Sequence, residues 1–295
     1  MANVFPREVE TNREGVTLAG SIWVRTRVRP NAVVVMHPGS GPSNRHNDGY
    51  FVPLREELVD AGLAVAAFDK RGVGRSTGRW QEAGIEAQAS DLLAEVAALG
   101  EQRDLAGLPV GFFGHSQGGW VVVDAASRHE ETAFVIVNSG PGVTPAAQER
   151  FAARVRLEQS GATSDQVERG VSAYDAMVAL AKAGAPFAET RGHDELADFI
   201  PEDDAEWKFW MSILDYDPAR ALQHVKAPVL ALFGGDDRIV PVEDSIEVLR
   251  AVVPPIRLTV EVFEGADHRL QVSDPPRLAP GYVDTVLGFL ASYLA

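Results

Sequence analysis

With 295 residues, 45% of them hydrophobic, the chain is long enough to bury a full core as one large domain, which excludes a disordered or fibrous protein. A formal charge of −15 and the lack of any basic run argue against nucleic acid as a partner, because phosphate binding needs a local surplus of Lys and Arg. The absence of cysteine removes disulfides, thiolate metal sites and cysteine nucleophiles.

The first residues, Met1-Ala2-Asn3-Val4-Phe5-Pro6-Arg7, have neither the basic start nor the apolar stretch of a secretory signal, and no segment approaches the length of a membrane span. A cytoplasmic protein without membrane contact is expected. Residues 15–24 read as an antiparallel strand at a sheet edge. Short runs rich in Val, Ile, Phe and Ala at 32–36, 64–68, 110–113, 134–137, 229–233 and 258–263 read as buried strands. Between them, Ile85, Ala89, Leu92, Leu93, Val96 and Leu99 share one helix face, with Gly100 as the stop. Val242, Ile246, Leu249 and Val253 repeat that spacing after Pro241, and a closing helix carries Tyr282, Val286, Phe289, Leu290 and Tyr293. This alternation predicts an α/β fold, a mostly parallel central sheet with helices on both faces. The rhythm breaks between about 141 and 226, where no strong strand appears. That stretch is expected to be an inserted helical cap (141–226), carried by a core made of 1–140 and 227–295.

The run at 110–113 leads straight into Gly114-His115-Ser116-Gln117-Gly118-Gly119 and then into helix-compatible sequence. A sharp strand-to-helix turn strains the serine backbone and crowds the residues on either side, so glycines are needed at 114 and 118. The gain is a hydroxyl raised above the sheet at the positive end of a helix. Such a hydroxyl becomes a nucleophile only beside a base, which needs an acid to fix its tautomer and steady its charge. Two later strand ends supply candidates. The run at 229–233 empties into Gly234-Gly235-Asp236-Asp237-Arg238-Ile239-Val240-Pro241, and that at 258–263 into Glu264-Gly265-Ala266-Asp267-His268. Of the adjacent carboxylates Asp237 is favoured, with Asp236 read as a turn or helix-entry residue. Of seven histidines only His268 follows the last strand; His129, His193 and His224 lie in helical or cap sequence, and His115 is read as structural.

An anionic tetrahedral oxygen needs preorganised donors. The backbone N–H of Gln117 is one candidate. A second lies in the small-residue loop His37-Pro38-Gly39-Ser40-Gly41-Pro42, with Ser40 preferred and Gly41 left open. Gly72-Val73-Gly74 lacks both G-x-G-x-x-G spacing and a Gly-Lys-Ser/Thr ending, so it is not read as a nucleotide loop. With no H-E-x-x-H and no Cys/His cluster, neither metal nor cofactor is expected.

Taken together, Gly39-Ser40-Gly41-Pro42, Asp69-Lys70-Arg71-Gly72-Val73-Gly74-Arg75-Ser76-Thr77-Gly78, the turn around Ser116, and Asp217-Pro218 leading to Pro228 and the Asp237 loop resemble the α/β-hydrolase superfamily. The narrower likeness is to bacterial carboxylesterases and acyl hydrolases with a helical cap. The resemblance implies the α/β-hydrolase fold and a catalytic triad of Ser116, Asp237 and His268. Asp237 matches the family acid two residues before a Val-Pro pair, and His268 the base of a Gly-x-x-His ending. The resemblance also has Asp69 and Arg71 tying a turn beside the site. Where many relatives carry His-Gly before the oxyanion residue, this chain has Pro38-Gly39.

The expected substrate is a small-molecule carboxylic ester of small to medium acyl group, cleaved through an acyl-enzyme. The segment Trp207-Lys208-Phe209-Trp210-Met211, with Ile213 and Leu214, is the candidate to line its pocket, and Trp207, Trp210 and Met211 are singled out as substrate-binding residues. A thioesterase or acyltransferase, a small peptidase, a perhydrolase and a non-catalytic ligand receptor on the same fold are the alternatives. Oligomeric state is not legible in the sequence.

Overall fold

The computed structural model describes residues 6–190, 201–273 and 275–294. Strands β1 (Arg7–Arg13) and β2 (Val16–Trp23) form a hairpin. Its two-residue turn places Glu14 at φ 53° and Gly15 at φ 81°, the left-handed pair that matches strand twist. Five further strands are parallel to β3 (Val33–His37): β4 (Ala64–Phe68), β5 (Val110–His115), β6 (Thr132–Asn138), β7 (Val229–Gly234) and β8 (Leu258–Phe263). The eight strands stand in the order β1-β2-β4-β3-β5-β6-β7-β8. The expectation that residues 15–24 form the sheet edge is corrected here. β2 pairs with β4 on one side and with β1 on the other, so β1 is the edge. Only Val9 of β1 is buried, and a strand of Arg, Glu, Thr and Asn gives no apolar run to read.

Helices cover both faces because successive strand residues point to opposite sides. Val33 and Val35 face the cluster completed by α2 (Ile85–Gly100), α3 (Gln117–Ser127) and α9 (Val242–Val252). Val34 and Met36 face the cluster completed by α1 (Phe51–Asp60) and α10 (Tyr282–Tyr293). Between β6 and β7 the described residues hold helices and no strand: α4 (Pro145–Gln159), α5 (Ser164–Lys182), α6 (Phe187–Thr190), α7 (Asp204–Ile213) and α8 (Pro218–Leu222). Local signals start them. Thr163 and Gln166 form a reciprocal capping box at α5, and Asp203 accepts from the Ala205 and Glu206 N–H groups at α7. Tyr174, Met177, Trp207 and Leu214 make a small apolar cluster of their own. Leu222 and Val225, by contrast, join the cluster under the sheet. A two-stranded ribbon, β9 (Gln271–Val272) and β10 (Arg277–Leu278), precedes α10.

Candidate active site

Ser116 sits between β5 and α3 with φ 53° and ψ −123°, a conformation costing a non-glycine residue about 1–3 kcal/mol. The turn closes because nothing projects from its glycines. A Cβ on Gly114 would stand 2.1 Å from the Gly118 carbonyl oxygen, and one on Gly118 would stand 2.5 Å from the carbonyl oxygen of His37. The Ser116 N–H donates to the Asn138 carbonyl at 3.0 Å, which moors the turn to the end of β6.

After β7, the Asp237 carboxylate divides its two oxygens. Oδ1 accepts from the Ile239 and Val240 N–H groups at 2.8 and 3.0 Å, and Oδ2 accepts from His268 Nδ1 at 2.8 Å. The Asp237 side chain has no exposed surface and that of His268 is 14% exposed, so the pair is shielded from solvent and its geometry is held from both ends. The His268 loop is shaped by its neighbour: Asp267 Oδ1 accepts from the N–H groups of Arg269 and Gln271 at 2.8 and 2.9 Å. With Nδ1 committed to Asp237, Nε2 is the nitrogen left for a substrate-side proton. Asp236 is exposed and makes no such contact; its N–H donates to the Ala266 carbonyl.

His115 joins the serine turn to the base loop. Asn47 Nδ2 donates to its Nδ1 at 2.9 Å, which leaves the ring proton on Nε2, 3.4 Å from the His268 carbonyl. Burial holds the His115 imidazole well below its ordinary pKa, hence neutral, and its ring centroid lies 5.1 Å from that of His268. Among the described residues no hydrogen bond joins the Ser116 hydroxyl directly to His268; contacts of this kind commonly tighten only with substrate bound. Nor do the Gln117 and Ser40 backbone N–H groups have an acceptor among the described residues, and both residues line the cavity that Ser116 faces. Gly41 lines it too, at φ +73°.

A sequence profile of the Alpha/beta hydrolase family matches residues 33–280. The chain belongs to that family. A Rhizobium rhizogenes protein named as the carbamate hydrolase RutD is 28% identical over 228 residues, 75% of this chain and 80% of its own length. A Mycobacterium tuberculosis protein named as a phosphoribosyl transferase is 32% identical over 133 residues, 45% of this chain. The match spans only 29% of that longer protein. A solved esterase of Pyrococcus furiosus superposes with a TM-score of 0.67 at 19% identity, over 100% of this chain and 92% of the other. At that identity the likeness speaks for the fold, and the eight-stranded sheet is that of the α/β-hydrolase fold.

In this α/β hydrolase a cavity of about 270 Å³ lies between the serine turn and helices α4 and α7. Its apolar wall includes Trp80, Trp120, Phe209, Trp210 and Ile213, and its polar wall Gln148, Glu149 and Glu206. Of the three pocket candidates read from sequence only Trp210 is there. Trp207 is fully buried in the helical cluster, with Nε1 donating to the Ala185 carbonyl at 2.8 Å, and Met211 packs against the same cluster. Helical spacing separates the two sets: 206, 209, 210 and 213 fall on the cavity face and 207, 211 and 214 on the neighbouring one, with Trp210 near the border and resting on the helical cluster as well. The sequence reading took the run 207–211, with Ile213 and Leu214, as one block; Phe209 and Ile213 do line the cavity, whereas Leu214 belongs to the helical cluster. His129 contacts Thr132 and the Phe112 ring, His224 contacts the Arg220 carbonyl, and His193 lies outside the described residues.

The Asp69 and Arg71 turn is braced by ions. Asp69 accepts from Arg45 Nη2 at 2.7 Å and Nε at 3.1 Å, and Arg71 meets Asp91 twice at 2.7 Å. Gly72 and Gly74 take positive φ within this turn. Among the described residues no group of His, Asp or Glu side chains is arranged to hold a metal ion, and no helix is long and apolar enough to cross a membrane.

Proposed function

We propose that this chain is a serine hydrolase of carboxylesterase type, with Ser116 as nucleophile, His268 as general base and Asp237 as its orienting acid. The observation that carries the reading is the shielded Asp237–His268 hydrogen bond of 2.8 Å, brought beside the strained Ser116 turn by His115. His268 Nε2 takes the hydroxyl proton as Ser116 Oγ bonds to the carbonyl carbon, and the backbone N–H groups of Gln117 and Ser40 receive the oxyanion. Collapse of the adduct expels the alcohol with the proton from His268. Water, deprotonated by the same imidazole, then releases the acid and restores Ser116.

A cavity of about 270 Å³ suits a small to medium acyl group and is too small for a long lipid chain. Its wall carries two carboxyl groups and, among the described residues, no Lys or Arg, so esters of dicarboxylic acids are disfavoured. Burial pushes the Glu149 carboxyl above the usual carboxylate range. The reading is tested with p-nitrophenyl esters of increasing length. Acetate to hexanoate should turn over, succinate monoesters poorly, and Ser116→Ala and His268→Ala should each lose at least about 10³-fold in kcat. Rapid cleavage of an amide or thioester with no ester turnover would contradict the substrate class, and near-normal rates in either variant would contradict the mechanism.

A further inference from the structure

Lys70 is a buried amine without a counter-ion. It follows β4, at a turn whose other charges Asp69, Arg71 and Arg75 have partners elsewhere in the fold, and it is buried. Its Nζ donates to the Gly39 carbonyl and, at 3.1 Å, to Gln117 Oε1. Among the described residues it makes no ion pair. Asp69 is taken by Arg45, and Asp91 by Arg71 and Arg13. A charge buried against neutral acceptors costs several kcal/mol in general, and the pairing of its neighbours leaves that cost unrelieved.

The two acceptors are informative. Gly39 O belongs to the peptide whose N–H is that of Ser40, and in a trans peptide the carbonyl and N–H point in opposite directions. Fixing the Gly39 carbonyl on one side therefore aims the Ser40 N–H towards the other. The same peptide abuts the nucleophile, since a Cβ on Gly39 would stand 3.6 Å from Ser116 Cβ and 3.3 Å from His115 Nδ1. Gln117, the second acceptor, supplies the other N–H assigned to the oxyanion. One ammonium thus bridges the two loops that the proposed mechanism needs in register. A hydrogen bond to the carbonyl also polarises the peptide it holds, the more so when the amine is protonated, which strengthens the N–H at its far end.

We propose that Lys70 is a positioning residue of the oxyanion site, holding the Gly39–Ser40 peptide and residue 117 so that their N–H groups converge on the developing oxyanion. The proposal rests on the serine mechanism given above. Neighbouring His37 does not compete for the role, because burial and the Lys70 charge push its imidazole down to about 3 and keep it neutral.

The test compares Lys70→Met and Lys70→Gln with wild type, using steady-state hydrolysis of a p-nitrophenyl ester and inhibition by a trifluoromethyl ketone, whose hemiketal mimics the oxyanion. Lys70→Met should lower kcat about 10- to 100-fold with KM changed less than about threefold, and should weaken the ketone by a similar factor. Lys70→Gln keeps one donor and should fall between. Thermal melting of Lys70→Met should not drop, since the variant relieves a buried charge. A merely structural lysine would instead lose activity in step with melting temperature and leave ketone affinity per folded molecule unchanged, which would overturn the proposal. So would wild-type kcat and ketone affinity in either variant. Should Lys70→Met fail to fold, Lys70→Gln decides by the same two readouts. Equal turnover by wild type and Ser116→Ala would instead remove the serine mechanism itself, a result separable from normal rates in the Lys70 variants alone.

Discussion

Two side chains show how single residues serve opposed demands. Asp237 both holds the His268 ring and pins its own turn, one oxygen to each task. Lys70 trades stability for placement, and that trade has a pH signature. Burial pushes its ammonium down to about 7 from an ordinary 10.5. Below about pH 7 folded and unfolded chains both hold the proton, and the folded state bears the full desolvation cost. Between about 7 and 10.5 the unfolded chain still binds a proton that the folded chain has released, so this residue's contribution to stability climbs with pH. The groups facing Lys70 are His37 on β3, Gln117 on α3, Gln88, Asp91 and Glu95 on α2, and Asp69 and Arg71 beside it. Lys70→Met should therefore be more stable than wild type at pH 6, with the gain shrinking towards pH 10 in chemical denaturation. A gain that grows with pH would contradict this. None of it was legible in the sequence, where Lys70 is one letter in a Gly-rich turn; what marks it is burial without a carboxylate, a property of the fold.

At the scale of elements, apolar runs and helical spacing located the buried strands and helices, and failed where an element is largely polar or is covered on two sides. Strands β4 and β8 fall where their apolar runs put them, and α2 ends at Gly100. β1 escaped because its buried set is a single valine. Helix α7 is the instructive case. It is covered on two sides, by the cavity with Trp80 and by the helical cluster around Trp207, so an aromatic run cannot say which ring faces which. The two tryptophans should respond differently. Trp210→Ala, which removes a half-buried ring that rests on the cluster only in part, should lower melting less than Trp207→Ala while raising kcat/KM for octanoate over acetate esters about tenfold, as space opens at the acyl end. Trp207→Ala should destabilise by about 3–5 kcal/mol and leave that ratio alone. An exchange of these outcomes would reverse the assignment of the helix faces.

At the scale of the whole molecule, the carboxyl edge of the parallel strands gathers what the chain separates. Ser116 follows β5, Asp237 follows β7 and His268 follows β8, so the sheet order sets these loops side by side. This much the strand-turn spacing foretold, because each loop has to follow its own strand. What covers the edge was not foretold in detail. The helices between β6 and β7 answer to packing against one another and against the sheet, with Gln148 Nε2 of α4 donating to the Ile239 carbonyl beside the acid. Such contacts leave no local spacing to read. The most direct measurement of whether the three loops act together is intact-mass analysis after brief exposure to a fluorophosphonate. Wild type should gain one adduct, mapped by peptide sequencing to Ser116, while His268→Ala labels at least about a hundredfold more slowly and Ser116→Ala not at all. An unlabelled wild type, or a His268→Ala variant labelled at the wild-type rate, would contradict the account.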